Sequence, residues 1–236
     1  MNSGNDSKKL ILALPKGRIL KEAIPILKRA GIEPETAFFE SSDRRLRFSS
    51  NHDNIDIIRI RSFDVATFLA YGSAHIAIAG SDVLQEFNHP EIYAPIDLGI
   101  GKCRLVVAAK EDTVYSHDQR QLSHIRIATK YPEITRRYFA EKGIQVDCIK
   151  LNGAMEIAPN LGLCRRIVDL VETGSTLSAN GLVEIEEVMN VSSKLAVNRA
   201  AWKIYPDLIS KWITKIREVV NTNLKIREDR LSADGE

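Results

Sequence analysis

The chain has 236 residues, 44% of them hydrophobic and 27% charged, with a formal net charge of +2. That length buries a sizeable core in one large domain or two small lobes. The near-balanced charge, with basic residues only in pairs such as Arg44-Arg45, Arg136-Arg137 and Arg165-Arg166, argues against a nucleic-acid-binding stripe. Three cysteines (Cys103, Cys148, Cys164), odd in number and without metal-ligand spacing, argue against a disulfide framework and read as small buried hydrophobes in a reducing compartment.

The polar start MNSGNDSKK leads into LILALP (10–15), too short for a signal-peptide core or a membrane span and expected to be a buried strand. A cytoplasmic protein is expected. The spacing of Ile19, Leu20, Ala23, Ile24 and Leu27 predicts a helix over 19–30, closed by Gly31 and kinked at Pro25. RLRF and IDIIRI form a predicted hairpin, DVATFLAYG a helix ending at Gly72, and HIAIAG a strand. Ser81 is placed to cap the short helix that follows, and KCRLVVAAK (102–110) is a further strand. Residues 111–121 are polar and turn-rich, a first candidate boundary. Beyond it come the strand IRIATK, a helix with Pro132 in its first turn, the strand VDCIKL, a short helix in GAMEIAPNLG and the strand RIVDLVE. An extended stretch, LVEIEEVMNVSSKLAVNR, precedes a helix with Leu208, Ile209, Trp212, Ile213, Ile216, Val219 and Val220 on its apolar side, and a polar tail expected to fray after 225.

Short apolar runs alternating with amphipathic segments make this an α/β protein, and two such blocks suggest two lobes. Ligands of open α/β sheets sit beyond the carboxyl ends of strands, so chemistry is sought there. Residues 168–177, VDLVETGSTL, take a strand into glycine flanked by hydroxyl residues and then into a helix. Thr173, Ser175 and Thr176 offer hydroxyls, Gly174 lets the backbone come close, and the helix start favours an anion. The loop holds no cation, but Asp169 and Glu172 could accept hydrogen bonds from sugar hydroxyls or lie near a metal ion, so a phosphate joined to a ribose matches both halves. The competing reading is a capped turn after an edge strand, with both acids in solvent. In LPKGR, Lys16, Gly17 and Arg18 open a helix whose dipole opposes cations by about 0.3–1 kcal/mol, which points to a bound anion. GSD (80–82) is fully explained by Ser81 as a cap with Asp82 on the dipole, and Lys102 and Arg104 by the outward face of a strand. The five histidines (His52, His75, His89, His117, His124) receive no role. No Ser-His-Asp, GxGxxG or zinc pattern is present, so group transfer driven by positioning and electrostatics fits best.

The stretch EIAPNLGLCRRIVDLVETGSTL (156–177) resembles the signature of the ATP phosphoribosyltransferase family through Glu156, Gly162, Asp169 and Thr173-Gly174-Ser175-Thr176-Leu177. It departs at Cys164, where a smaller residue is usual. LALPKGRIL, RSFDVATFLAYGSAHIAIAGSDVL and DLGIGKCRLVVA extend the resemblance, with Ala66 and Phe68 where Pro and Tyr are usual. The resemblance implies a two-lobed fold like type II periplasmic binding proteins, with mixed sheets and an active site in the interlobe cleft. Residues 1–104 with 184–236 would form lobe I, and 105–183 lobe II with the phosphoribosyl loop. The implied substrates are 5-phosphoribosyl 1-pyrophosphate and ATP, with Mg2+ required. Asp169, Glu172 and Thr173 to Leu177 would hold the phosphoribosyl group. Lys16, Gly17, Arg18, Arg61, Asp82, Lys102, Arg104 and Glu156 would serve ATP or pyrophosphate. No nucleophile is implied, only electrostatic roles for Lys16, Arg18 and Asp169, and the carboxylate that meets magnesium is left open. The chain stops after one polar tail, as in the family's short form. A homodimer within a hetero-oligomer is therefore expected, completed by a histidyl-tRNA-synthetase-like regulatory subunit and inhibited by histidine. A solute-binding protein, a phosphoribosyltransferase for another base and an inactive paralogue are the alternatives.

Overall fold

The computed structural model describes residues 9–114 and 124–233. They divide into two compact units. The first runs to Leu84 and resumes over Asn88–Gly101 and from Ser192, while the second holds Gln85–Phe87 and Lys102–Val191.

The first unit is a six-stranded sheet ordered β2-β3-β1-β4-β11-β5. Its strands are β1 (Leu10–Pro15), β2 (Arg47–Ser49), β3 (Ile55–Ile60), β4 (Ile76–Gly80), β5 (Ile92–Asp97) and β11 (Ser193–Asn198). β3, β1 and β4 are parallel neighbours, with Pro15 opposite Ile60 and Ala13 opposite Ala77. β1 lies inside the sheet, so both its faces are covered and its sequence reads as one apolar run. Leu10, Leu12 and Leu14 pack with Ile26, Leu27, Trp212 and Ile213 of α1 (Arg18–Arg29) and α8 (Pro206–Ala233). Ala13 and Ala77 face the other way, toward Val65 and Leu69 of α2 (Ser62–Ala70). Pro25 stays inside α1 on its exposed side, where the lost N–H faces water.

The second unit is a five-stranded sheet ordered β10-β6-β9-β7-β8. It comprises β6 (Cys103–Lys110), β7 (His124–Thr129), β8 (Gln145–Lys150), β9 (Arg166–Val171) and β10 (Leu182–Val191). β8, β7 and β9 are parallel, and β6 is antiparallel to β9 and β10. One face packs Val106, Ala108, Ala128, Ile167 and Val171 against Met155, Ala158, Cys164 and Leu177. The opposite face carries α5 (Pro132–Glu141), with Phe139 fully buried.

Several expectations change. β10 pairs with β6 through Val191, so the chain leaves the second unit at 191/192 rather than near 183, while the stretch from Lys102 that opens β6 begins within a few residues of the expected 105. Ser81 is not a cap: Gly80 occupies the N-cap of α3 (Ser81–Phe87) without a side-chain bond, and the Ser81 hydroxyl accepts from the Ser192 N–H at 3.3 Å. GAMEIAPNLG yields only a 3-10 turn at Met155–Ile157, and α8 continues to Ala233 instead of fraying after 225. Of the cysteines Cys164 is buried, whereas Cys103 and Cys148 are half-buried. The proposed boundary at 111–121 opens with α4 (Glu111–Val114), and the rest of it, with His117, lies outside the described residues.

Candidate active site

In the second unit, the carboxyl ends of β7, β8 and β9 lie side by side, and each leads into a segment that carries polar groups. β9 is the middle strand of its sheet, which removes the reading of VDLVETGSTL as a turn after an edge strand. Strand pleating puts Ile167, Asp169 and Val171 on one face. Ile167 and Val171 define that face as the one covered by Met155–Cys164 and by Leu177 of α6 (Ser175–Ala179). Arg104, opposite Val171, and Val106, opposite Asp169, share it. Glu156 reaches the same edge on the Met155–Ile157 turn.

Asp169 is half-buried, and one carboxylate oxygen accepts from the Leu170 N–H at 2.8 Å. Burial disfavours its charge and the nearby Glu156 carboxylate repels it, against that hydrogen bond and the attraction of Lys130. The outcome is a carboxyl raised to about 6. Lys130 follows β7 directly and was not legible as part of this cluster, because its adjacency to Asp169 comes from strand pairing across 39 residues.

Beyond β9, Glu172, Thr173, Ser175 and Thr176 are exposed. Gly174 is the N-cap of α6 at φ 81°, in the left-handed region that glycine enters without a Cβ penalty. The Thr173 and Ser175 hydroxyls are 3.0 Å apart, so the loop is closed before any ligand arrives. The first turn of α6 leaves N–H groups without intrahelical acceptors beside those hydroxyls, a set of donors suited to phosphate oxygens. Arg104 is committed within its own unit: its guanidinium donates to Glu184 at 3.0 Å and lies 3.8 Å from Glu187. Lys102 is exposed just before β6.

The first unit has its own strand-end cluster. Lys16, Arg61 and the Ser81-Asp82 pair follow β1, β3 and β4, three adjacent parallel strands. The Lys16 N–H is fixed to the Ile60 carbonyl at 2.8 Å while its side chain is exposed, as is that of Arg61. Gly17 caps α1 at φ 99°, ψ −145°, a conformation essentially confined to glycine. Arg18 lies 3.7 Å from Glu22 one turn along α1. Asp82 is 6% exposed and folds back over Gly80, where a Cβ would meet its Oδ1 at 2.1 Å. Gly80 itself has φ −64°, so it is space and not backbone freedom that requires glycine there. This packing role was hidden in the sequence, where Asp82 read as a surface dipole partner.

A family model described as ATP phosphoribosyltransferase matches residues 61–218. An ATP phosphoribosyltransferase of Paramagnetospirillum magneticum is 61% identical over 210 residues, covering 89% of this chain and 96% of its own. That of Chromobacterium violaceum is 47% identical, covering 85% and 93%. Among solved structures, the ATP phosphoribosyl transferase (HisG:HisZ) complex from Thermotoga maritima contains a chain with TM-score 0.75 and 32% identity, matched over 90% of this chain and 99% of its own. The structure of Tv2483 bound to L-arginine shares the fold alone, with TM-score 0.54 and 14% identity over 94% of this chain and 86% of its own.

Proposed function

The chain belongs to the ATP phosphoribosyltransferase family, and from that premise we propose how its two strand-end clusters divide the work. The family reaction transfers the 5-phosphoribosyl group of 5-phosphoribosyl 1-pyrophosphate to N1 of ATP, releasing pyrophosphate, as the first step of histidine biosynthesis. The adenine N1 lone pair forms the new bond to C1 of the ribose while the C1–O bond breaks and its electrons leave with pyrophosphate. N1 needs no deprotonation before it attacks, so the protein's tasks are alignment and charge stabilisation.

The observation that carries the assignment is the shared edge of the second sheet, where a cation-free donor loop stands next to a half-buried carboxylate. Thr173 to Leu177 hold the 5-phosphate through hydroxyls and the first amides of α6. Asp169, Glu172 and Glu156 face the ribose, where an anion favours positive charge developing at C1. Within the first unit, Lys16, Arg18 and Arg61 are the cations that attract phosphates of ATP or pyrophosphate; within the second, Lys102 does so, while Arg104 is engaged by Glu184 and Glu187. Asp82 supports the first of these clusters. Among the described residues no group of three or more His, Cys, Asp or Glu side chains could hold a metal ion. Magnesium fits this chain as an ion carried on pyrophosphate oxygens and water, where it would neutralise the leaving group's charge.

The chain works in the cytoplasm, with a regulatory partner of the kind present in the Thermotoga maritima complex, and as a dimer of catalytic subunits. No described helix is long and apolar enough to cross a membrane. The test uses purified protein with ATP, 5-phosphoribosyl 1-pyrophosphate, Mg2+ and pyrophosphatase, followed by the ultraviolet absorbance gained on N1 alkylation of adenine. A rise that needs both substrates is expected. No rise, even with the partner added, would leave a ligand-binding protein as the better reading.

A further inference from the structure

The donor loop 172–177 contains no cation, yet a basic side chain reaches the same edge from another strand. β7 and β9 run parallel with Thr129 opposite Val168, and Lys130 and Asp169 are the residues that follow that last pair. Pleating puts Asp169 on the face of Ile167, which packs with Met155 of the turn that bears Glu156, and both Lys130 and Glu156 bear electrostatically on Asp169. The backbone around Lys130 is fixed. Thr129 is fully buried, its hydroxyl donates to the Val168 carbonyl at 2.7 Å and accepts from the Tyr131 N–H at 3.0 Å. Thr135 then donates its hydroxyl to the Tyr131 carbonyl at 2.7 Å. A half-buried lysine on so rigid a turn loses little further freedom in facing a carboxylate.

We propose that Lys130 is a positioning residue of the phosphoribosyl site, its ammonium set beside the Asp169 and Glu156 carboxylates so that Asp169 meets the ribose as an anion. The proposal rests on the reading of this edge as the phosphoribosyl site. Lys130 and Glu156 are the charged groups that bear on Asp169, in opposite senses, and from β6 its register partner is the apolar Val106. Arg104 lies on the same face but is paired with Glu184 and Glu187, so without Lys130 burial and Glu156 weigh more heavily on Asp169 and the carboxyl keeps its proton to higher pH.

The test is a carbon-13 carboxyl titration of Asp169 in the intact chain, its signal assigned by absence from Asp169→Asn. Lys130→Met is expected to move the Asp169 midpoint up, and Lys130→Arg to restore it. The acid limb of kcat/KM for 5-phosphoribosyl 1-pyrophosphate should move with it, while KM for ATP stays the same. An unmoved titration in the folded variant overturns the proposal. So does an activity loss equal at every pH that arginine does not rescue, the pattern of a merely structural lysine. Lys130→Gln gives the same comparison should the methionine variant not fold. A chain that forms no phosphoribosyl-ATP would sink the functional reading, and the titration would still decide the link between Lys130 and Asp169.

Discussion

Single residues carry the sharpest consequences at the second sheet's edge. Asp169 has a folded-state value of about 6 against 3.8 for a free carboxyl. The folded chain therefore binds this proton more tightly than the unfolded one, and stability falls as pH rises through that window. Asp169→Asn should thus stabilise the fold above pH 6, by about 1–2 kcal/mol after allowance for partial exposure, with the gain vanishing below pH 3.8. The same change should lower kcat/KM about 100-fold, because an anion beside the ribose is removed. Thermal melts across pH, set beside steady-state rates, check both. Opposite signs for stability and activity mark a functional carboxylate; equal signs would return Asp169 to a structural role. Thr176→Ala removes one proposed phosphate donor and is expected to raise KM for 5-phosphoribosyl 1-pyrophosphate about tenfold while sparing KM for ATP. An unchanged KM for the sugar phosphate would end that assignment. The local arrangement of Thr173–Leu177, hydroxyls flanking a glycine at a helix start, was readable in sequence because its parts are contiguous. Lys130 was not, since only strand pairing brings it to Asp169.

At the scale of elements, two junctions hold the first sheet together. β1 reaches the start of β4 through His75, whose Nδ1 accepts from the Ile11 N–H at 2.8 Å and whose backbone N–H donates to the Ile11 carbonyl at 2.9 Å. That role needs a neutral imidazole, and burial pushes its proton affinity below the usual 6.5. The unfolded chain binds the proton more readily, so this stabilisation is present above 6.5 and is lost as pH falls through the folded value. His75→Asn keeps an acceptor but cannot titrate. Its melting temperature should vary less between pH 7 and 5 than the wild type's, and an equal slope would show that His75 is not the group responsible. The second junction is Gly17. Nothing lies within 4 Å of a Cβ there, so Gly17→Ala costs backbone strain alone, about 1–3 kcal/mol, read as a lower denaturation midpoint without a change in slope. Most elements were legible: α1, α2 and α5 form where helices were expected, Ala23 and Leu27 of α1 are buried on the predicted face, and Ile209, Trp212 and Ile216 of α8 are buried as expected. Caps were read less well. Ser81 has the residue type of a cap, but its position after Gly80 and the neighbouring Ser192 amide decide otherwise.

For the whole molecule, the proposed regulatory partner leads to a solution prediction. Histidine added to the isolated chain should leave its rate unchanged, whereas histidine added with a histidyl-tRNA-synthetase-like subunit should inhibit, and the two should co-elute as one larger species. Equal inhibition with and without that subunit would overturn the expected division of labour. The sequence by itself determined the α/β class, the family and the glycine-and-hydroxyl loops at strand ends, because periodicity, composition and contiguous motifs are local properties of the chain. Only the tertiary structure decided that β9 is a central strand, that β10 stays with the second sheet through Val191, that Asp82 folds over Gly80, and that Lys130 and Glu156 come within electrostatic reach of Asp169. Those facts depend on strand order and register, and register is fixed by burying matched faces between segments far apart in sequence.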